Sequence, residues 1–149
     1  MTGLAFTVQG TPRPQPRPRF VSAGGRVRAV STASHQVQFW RNLVQREVRA
    51  AVLNARLEPL SGPLSVAMVF GFAPPKSDPG RSGPHTQRPD ADNLAKLVMD
   101  VMQSARVFAD DAQISELRAA KLWTPRPGLA VTVQPVSASG LGALAALVL

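Results

Sequence analysis

The chain has 149 residues, of which 17 are lysine or arginine and 9 are aspartate or glutamate, so its formal net charge is +8. This length is typical of one domain with a single hydrophobic core, and the positive charge favours a polyanionic partner. The absence of cysteine excludes disulfides, thiol nucleophiles and cysteine-based metal sites. Two isolated histidines, His35 and His85, are too few for a histidine metal site or a serine triad. Carboxylates are therefore expected to carry any catalytic chemistry.

In the N-terminal half, the patterns predict a strand, a basic arm and a helix. Apolar residues alternate over residues 4–8, as in a strand. Residues 11–30 form a basic Pro/Arg arm, whose four alternating prolines favour an extended, polyproline-like chain. The last part of the arm, residues 21–30, has the Gly-Gly pair of a small hairpin. Apolar residues at three- and four-residue steps then predict an amphipathic helix from about 34 to 56, with Trp40 in the core.

In the C-terminal half, strict alternation predicts a strand over residues 64–72. Residues 73–89 are rich in proline, glycine and basic residues, and they are expected to form a mobile loop. Helical spacing predicts a second helix over residues 92–105. Residues 113–123 fit neither period, so strand and helix both stay open there. Alternation predicts a last strand over residues 129–134.

The two ends of the chain bear on its location. No charged segment followed by a long apolar run stands at the start, so no export leader is expected. The longest apolar stretch, residues 140–149, is shorter than the ~20 residues of a membrane helix. We therefore expect a cytoplasmic protein with no membrane span. The apolar tail, residues 137–149, has three open roles: packing on the core, contact between subunits, or disorder.

Five of the nine acidic residues stand in one short window that holds only two basic residues; these acids are Asp90, Asp92, Asp100, Asp110 and Asp111. A polyanion-binding protein gains nothing from concentrated carboxylates unless they hold a cation between themselves and the phosphate. The structural alternative is that an aspartate caps the second helix. In that alternative Asp92, Lys96 and Asp100 form an ordinary i, i+4 ion-pair ladder.

The second acidic pair favours a metal site over this alternative. A single aspartate would be enough for the turn at residues 110–111. If this turn folds back beside Asp90 and Asp92, the four carboxylates form a pocket of oxygen ligands suited to Mg²⁺ or Mn²⁺. Such a pocket serves phosphodiester hydrolysis, in which a metal activates water and neutralises the transition-state charge. Lys96, one turn after Asp92, would add a fixed cation.

These residues also carry a resemblance. The string RPDADNLAKLVMDVM, followed shortly by DDAQISEL, resembles the signature of the RusA family of Holliday junction resolvases. That signature is an Asp-x-Asp-Asn, a lysine four residues after the second aspartate, a further aspartate on the helix, and a downstream Asp-Asp-x-Gln. The N-terminal GTPRPQPRPRF is similar to the family's Gly/Pro start with a basic segment. Together these elements cover most of residues 4–136.

The resemblance implies a homodimeric, Mg²⁺-dependent endonuclease that cuts four-way DNA junctions and is encoded by bacteria, phages or prophages. It implies an α/β fold of the α+β type: one compact domain over residues 1–136, with a mixed β-sheet packed by two main helices. Matched by position, the catalytic residues and metal ligands are Asp90, Asp92 and Asp111, the catalytic lysine is Lys96, Asp110 is an additional ligand, and the supporting residues are Asp100 and Asn93. The tail, residues 137–149, departs from the pattern.

Basic side chains are expected to hold the DNA backbone. The candidates are Arg13, Arg17 and Arg19 in the arm, and Lys76, Arg81 and Arg88 in the loop. Two other functions stay open. One is a non-catalytic nucleic-acid-binding protein in which the acids are caps and ion pairs, and the other is a related nuclease that prefers other branched DNA.

Overall fold

Alternating apolar residues build the central sheet of the structure, a computed structural model that describes residues 3–30 and 33–136. In chain order the elements are β1 (Leu4–Gln9), β2 (Arg19–Ala23), β3 (Arg26–Val30), α1 (His35–Asn54), β4 (Leu64–Phe72), β5 (Gly83–Pro84), α2 (Ala91–Ser104), a 3-10 turn (Asp111–Gln113), β6 (Ile114–Trp123) and β7 (Gly128–Pro135). One mixed sheet and two helices form a single domain, which confirms the predicted α+β class.

The main sheet has five strands in the order β1-β7-β4-β6-β5. Strands β4 and β6 are parallel, because α2 crosses between them, and the other neighbouring pairs are antiparallel. Strand β6 settles the state that the sequence left open for residues 113–123. Strands β2 and β3 form the small hairpin expected within residues 21–30, as a separate two-stranded sheet.

The core lies between one face of the main sheet and the two helices. The register aligns Val8, Leu129 and Phe70 in one row across β1, β7 and β4, so the apolar positions of these strands share one face. The next row is Phe6, Val131 and Met68. Helix α1 covers it with Trp40, Val44 and Val48, all fully buried, which confirms the core position of Trp40. Helix α2 adds a stripe of six buried residues, namely Leu94, Ala95, Leu97, Val98, Val101 and Met102.

The segment predicted as a mobile loop, residues 73–89, contains turns and the two-residue strand β5, which pairs with β6. Its mobility stays a prediction, but its last part is held by packing that is described below. The predicted tail, residues 137–149, lies outside the described residues. Within the described part of the chain, neither helix is long and apolar enough to cross a membrane.

Candidate active site

Helix α2 presents a polar stripe opposite its buried face. Asp92, Lys96, Asp100 and Gln103 follow one another at four-, four- and three-residue steps, so their side chains lie on one side of the helix. The ammonium of Lys96 is held on this stripe by two carboxylates. Its Nζ lies 2.9 Å from Asp100 Oδ1 and 2.9 Å from Asp111 Oδ2. The structure therefore brings together three of the residues that the sequence analysis selected, from two separate elements.

These contacts fix the charges of the groups. The hydrogen bonds that Lys96 donates to Asp111 and Asp100 raise the pKa of Lys96 well above its usual range. The hydrogen bond and positive charge of Lys96 in turn lower the pKa of Asp111. Lys96 stays protonated and Asp111 stays ionised at neutral pH as a result. Together with Asp100, they line a cleft of about 780 Å³ that is open to solvent.

The backbone at Asp111 is held in place by glutamine side chains. The amide N–H of Asp111 donates to Gln103 Oε1 on α2 at 3.0 Å. Gln113 accepts from the N–H groups of Ala109 and Asp110, and its Nε2 donates to the carbonyls of Leu60 and Gly62 at 3.1 Å each. The glutamine of the Asp-Asp-x-Gln string thus ties the turn to the segment before β4, which aims Asp111 at Lys96.

The two aspartates that stand at cap positions have different roles. Asp110 caps the 3-10 turn, since its Oδ1 accepts from the N–H of Ala112 at 2.9 Å in a capping box with Gln113. Asp90 is the N-cap residue of α2, but its side chain makes no capping hydrogen bond. The carboxylate of Asp90 instead faces Arg17, at 3.7 Å from Nη2. Capping therefore accounts for the side chain of Asp110 and not for that of Asp90.

The basic arm is fixed to the start of α2. The N–H of Gln15 donates to the carbonyl of Asn93 at 2.9 Å, and Gln15 Oε1 accepts from Arg41 of α1 at 2.8 Å. With its amide oxygen turned toward the arm, Asn93 accepts from Arg17 Nη2 at 2.9 Å and from Nε at 3.1 Å. Asn93 thus supports the placement of Arg17 beside Asp90.

The structure divides the carboxylates that were predicted as metal ligands into two sets. Asp90 lies with Arg17, and Asp111 lies with Lys96. Asp92 stands on the helix between them, exposed and without a hydrogen bond or ion pair to any described residue. Within residues 3–30 and 33–136, no three acidic or histidine side chains converge closely enough to hold a metal ion. The predicted four-carboxylate pocket stays a prediction.

Comparison with known protein families identifies the family of this chain. The family model for endodeoxyribonuclease RusA matches residues 9–134, which is most of the chain. The chain belongs to the RusA family. No curated protein matches it. Family membership confirms the resemblance to RusA and supports the assignment of the chain as an endonuclease.

The sequence analysis missed one part of the candidate site, the anchor of the residues before Asp90. Lys121 stands on β6 beside Phe70 of β4, on the face that the helices cover. Its Nζ donates to the carbonyl of Gln87 at 2.7 Å and to that of Pro89 at 2.8 Å. One ammonium thus holds the two residues that flank Arg88 and lead into Asp90.

His85 adds an aromatic anchor to the same segment. Its ring stacks on Phe72 and tilts against Trp123, at 4.3 Å between centroids in each case. Arg81 also contacts this cluster, because its guanidinium lies 5.3 Å from the centroid of the Trp123 ring. Burial, and then the charge of Lys121, lower the pKa of His85. The neutral ring is therefore a packing element of this segment.

Replacement of Lys121 tests this anchor. We expect Lys121→Met to lower the single-turnover cleavage rate about tenfold, since the hydrogen bonds of a charged group contribute roughly 1.5–3 kcal/mol. Substrate affinity should change less than the cleavage rate. Lys121→Arg should recover part of the lost cleavage rate. Arg118→Met is the matched control, because Arg118 is an exposed cation on the same strand. Equal losses of rate in the Lys121 and Arg118 variants would contradict a positioning role.

The candidate DNA-binding cations fall in several places. Arg17, Arg19 and Arg88 line one groove of about 480 Å³ that also contains Asp90 and Asn93. Arg13 lies at a second pocket, beside His35 and Trp40. Arg81 pairs with Asp78 at 2.9 Å as well as covering Trp123. Lys76 is exposed on the loop. The structure therefore brings three of the six to the carboxylate site.

Proposed function

We propose that this chain is a Mg²⁺-dependent endodeoxyribonuclease that resolves four-way DNA junctions by hydrolysing phosphodiester bonds. Membership of a family of Holliday junction resolvases supports the substrate class. The observation that carries the proposal is the contact of Lys96 with Asp111, 15 residues further along the chain, at the predicted catalytic positions. An isolated cap or an i, i+4 ladder would not need this second element.

In the proposed mechanism, Asp90, Asp92 and Asp111 would hold Mg²⁺. Their fit rests on donor chemistry, because all three offer carboxylate oxygens that solvent reaches, and Asp92 has no competing partner in the described chain. Asp90 and Asp111 face the cations Arg17 and Lys96, so a metal ion would compete with these two contacts for the carboxylate oxygens. A bound Mg²⁺ supplies activation of water and neutralisation of phosphoryl charge.

The chain's own cations have distinct roles in this mechanism. Lys96 stays protonated between its two carboxylates, so its ammonium is fixed in orientation before DNA arrives. A preorganised cation stabilises the charge that develops on the phosphoryl oxygens more than it stabilises the ground state. Arg17 and Arg88, in the groove with Asp90, bind the flanking phosphates. Symmetric cutting of a junction requires two such sites, which supports a homodimer.

A substrate panel tests the proposed function. Four-way, three-way, flap and linear DNA of equal arm length are incubated with the full chain in Mg²⁺, in Mn²⁺ and in EDTA. We expect paired nicks in the four-way junction only, with either metal ion and not in EDTA. If flaps or three-way DNA are cut in preference to the four-way junction, the proposed substrate is wrong. Salt-sensitive binding of all four, with no cut in either metal ion, would identify a non-catalytic binding protein.

A further inference from the structure

The hairpin formed by β2 and β3 is exposed along its whole length. All ten strand residues are exposed, and among them Phe20 retains 75% and Val27 68% of full exposure. Gly24 and Gly25 form its two-residue turn with φ of +60° and +74°, as a tight hairpin requires. A two-stranded hairpin without a packed face is marginal in water. The exposure of these side chains therefore suggests that the hairpin binds a partner.

The register of the hairpin separates its charges from its apolar residues. Arg19 pairs with Val30, Val21 with Arg28 and Ala23 with Arg26, so these six side chains share one face. The opposite face holds Phe20, Ala29, Ser22 and Val27. All three arginines of the hairpin therefore lie on one face, which we call the arginine face. The other face, which we call the Phe20 face, has no charge.

The position of the hairpin connects it to the candidate active site. Arg19, its first residue, lines the groove that contains Asp90. Arg17 contacts Asp90 and Asn93, and two residues span at most about 7 Å. Since Gln15 fixes the arm to α2, the hairpin starts from a rigid point at the carboxylates. The hairpin therefore begins beside the candidate active site.

We propose that the hairpin recognises the branch point of junction DNA, with the arginine face on the phosphates and the Phe20 face on exposed bases. This inference rests on the proposed function. Phosphates occur in any duplex, but base faces are accessible only where stacking is interrupted, as at a branch point. An element with one cationic and one uncharged apolar face matches a ligand that presents phosphates and base faces side by side. Aromatic side chains bind such base faces without sequence preference.

Two variants separate the faces. We expect Phe20→Ser to raise the dissociation constant for a four-way junction about tenfold and that for a linear duplex less than twofold, without divalent ions. Arg26→Gln combined with Arg28→Gln should weaken binding to both DNAs. It should also make the negative slope of log K against log salt shallower by about 2, since each phosphate contact contributes about 0.9 to its magnitude.

The controls are matched in exposure and charge. Leu53→Ser removes an apolar side chain of 76% exposure on α1, and Arg49→Gln combined with Arg118→Gln removes two exposed arginines elsewhere. An equal loss of affinity for junction and duplex in Phe20→Ser, or an unchanged salt slope in the Arg26/Arg28 variant, would overturn the proposal. Failure of the proposed function itself would be visible in the unmodified chain, as no preference for the junction and no metal-dependent cut.

Discussion

Asp111→Asn is expected to lower the rate of Mg²⁺-dependent junction cleavage by roughly 10³-fold, at the upper end of the loss for one electrostatic group of an active site. The substitution keeps the shape of the side chain and removes its charge. Asparagine still accepts a hydrogen bond from Lys96, but it is a weaker ligand for a hard cation than a carboxylate. The fold should persist, because the Lys96 contact is partly exposed and such ion pairs contribute at most about 1 kcal/mol.

Junction affinity should stay equal or increase in this variant. Asp111 repels the phosphate backbone when no metal lies between them, so loss of its charge removes a repulsive term. Single-turnover cleavage and binding without divalent ions measure the two quantities separately. Cleavage at the unmodified rate would refute the assignment of Asp111 as a metal ligand.

Asp100→Asn is the matched comparison, because Asp100 makes a contact of the same length, 2.9 Å, with the same ammonium. If Asp111 only holds Lys96, the two variants should lose activity equally. A metal ligand at position 111 predicts a much greater loss there, with about tenfold or less for Asp100→Asn. The two rates, measured on one junction, therefore distinguish an ion pair from a ligand.

The predictability of each strand follows from its place in the sheet. Strand β4 lies between β7 and β6 with one face against the helices, so its apolar alternation over residues 64–72 is complete. Strand β6 has only the two-residue β5 on its other side. On its helix-covered face it places Leu117, which is 46% exposed, and Lys121, which binds carbonyls. Neither position holds a buried apolar residue, so the two-residue alternation typical of a strand is not visible in this segment of the sequence.

The sequence analysis selected candidate site residues but not the residues that support them. Asp90, Asp92, Lys96 and Asp111 stand in strings whose composition is unusual for a basic chain. The anchors of the site are ordinary residues whose partners are far along the chain. Gln113 binds the carbonyl of Leu60, 53 residues away, and Lys121 binds that of Gln87, 34 residues away. Only the tertiary fold creates these contacts, so no local pattern signals them.

Lys96→Met is expected to lower the cleavage rate by roughly 10²-fold, the loss typical of a removed preorganised cation. Methionine retains much of the length of the side chain and loses the charge. Without the ammonium, Asp100 and Asp111 lose the cation that both of them contact. Lys96→Arg keeps the charge on a planar group of different geometry, so only partial recovery is expected. Full activity of Lys96→Met would refute a catalytic role.

The double variant Lys96→Met with Asp111→Asn then tests whether the two residues act together. Residues that act as a unit are strongly non-additive, since loss of either one already disables the other. If the ammonium and the carboxylate stabilise the same transition state through their contact, the double variant should be little slower than Asp111→Asn alone. A loss equal to the product of the two single losses would show that Lys96 acts on the phosphate independently of Asp111.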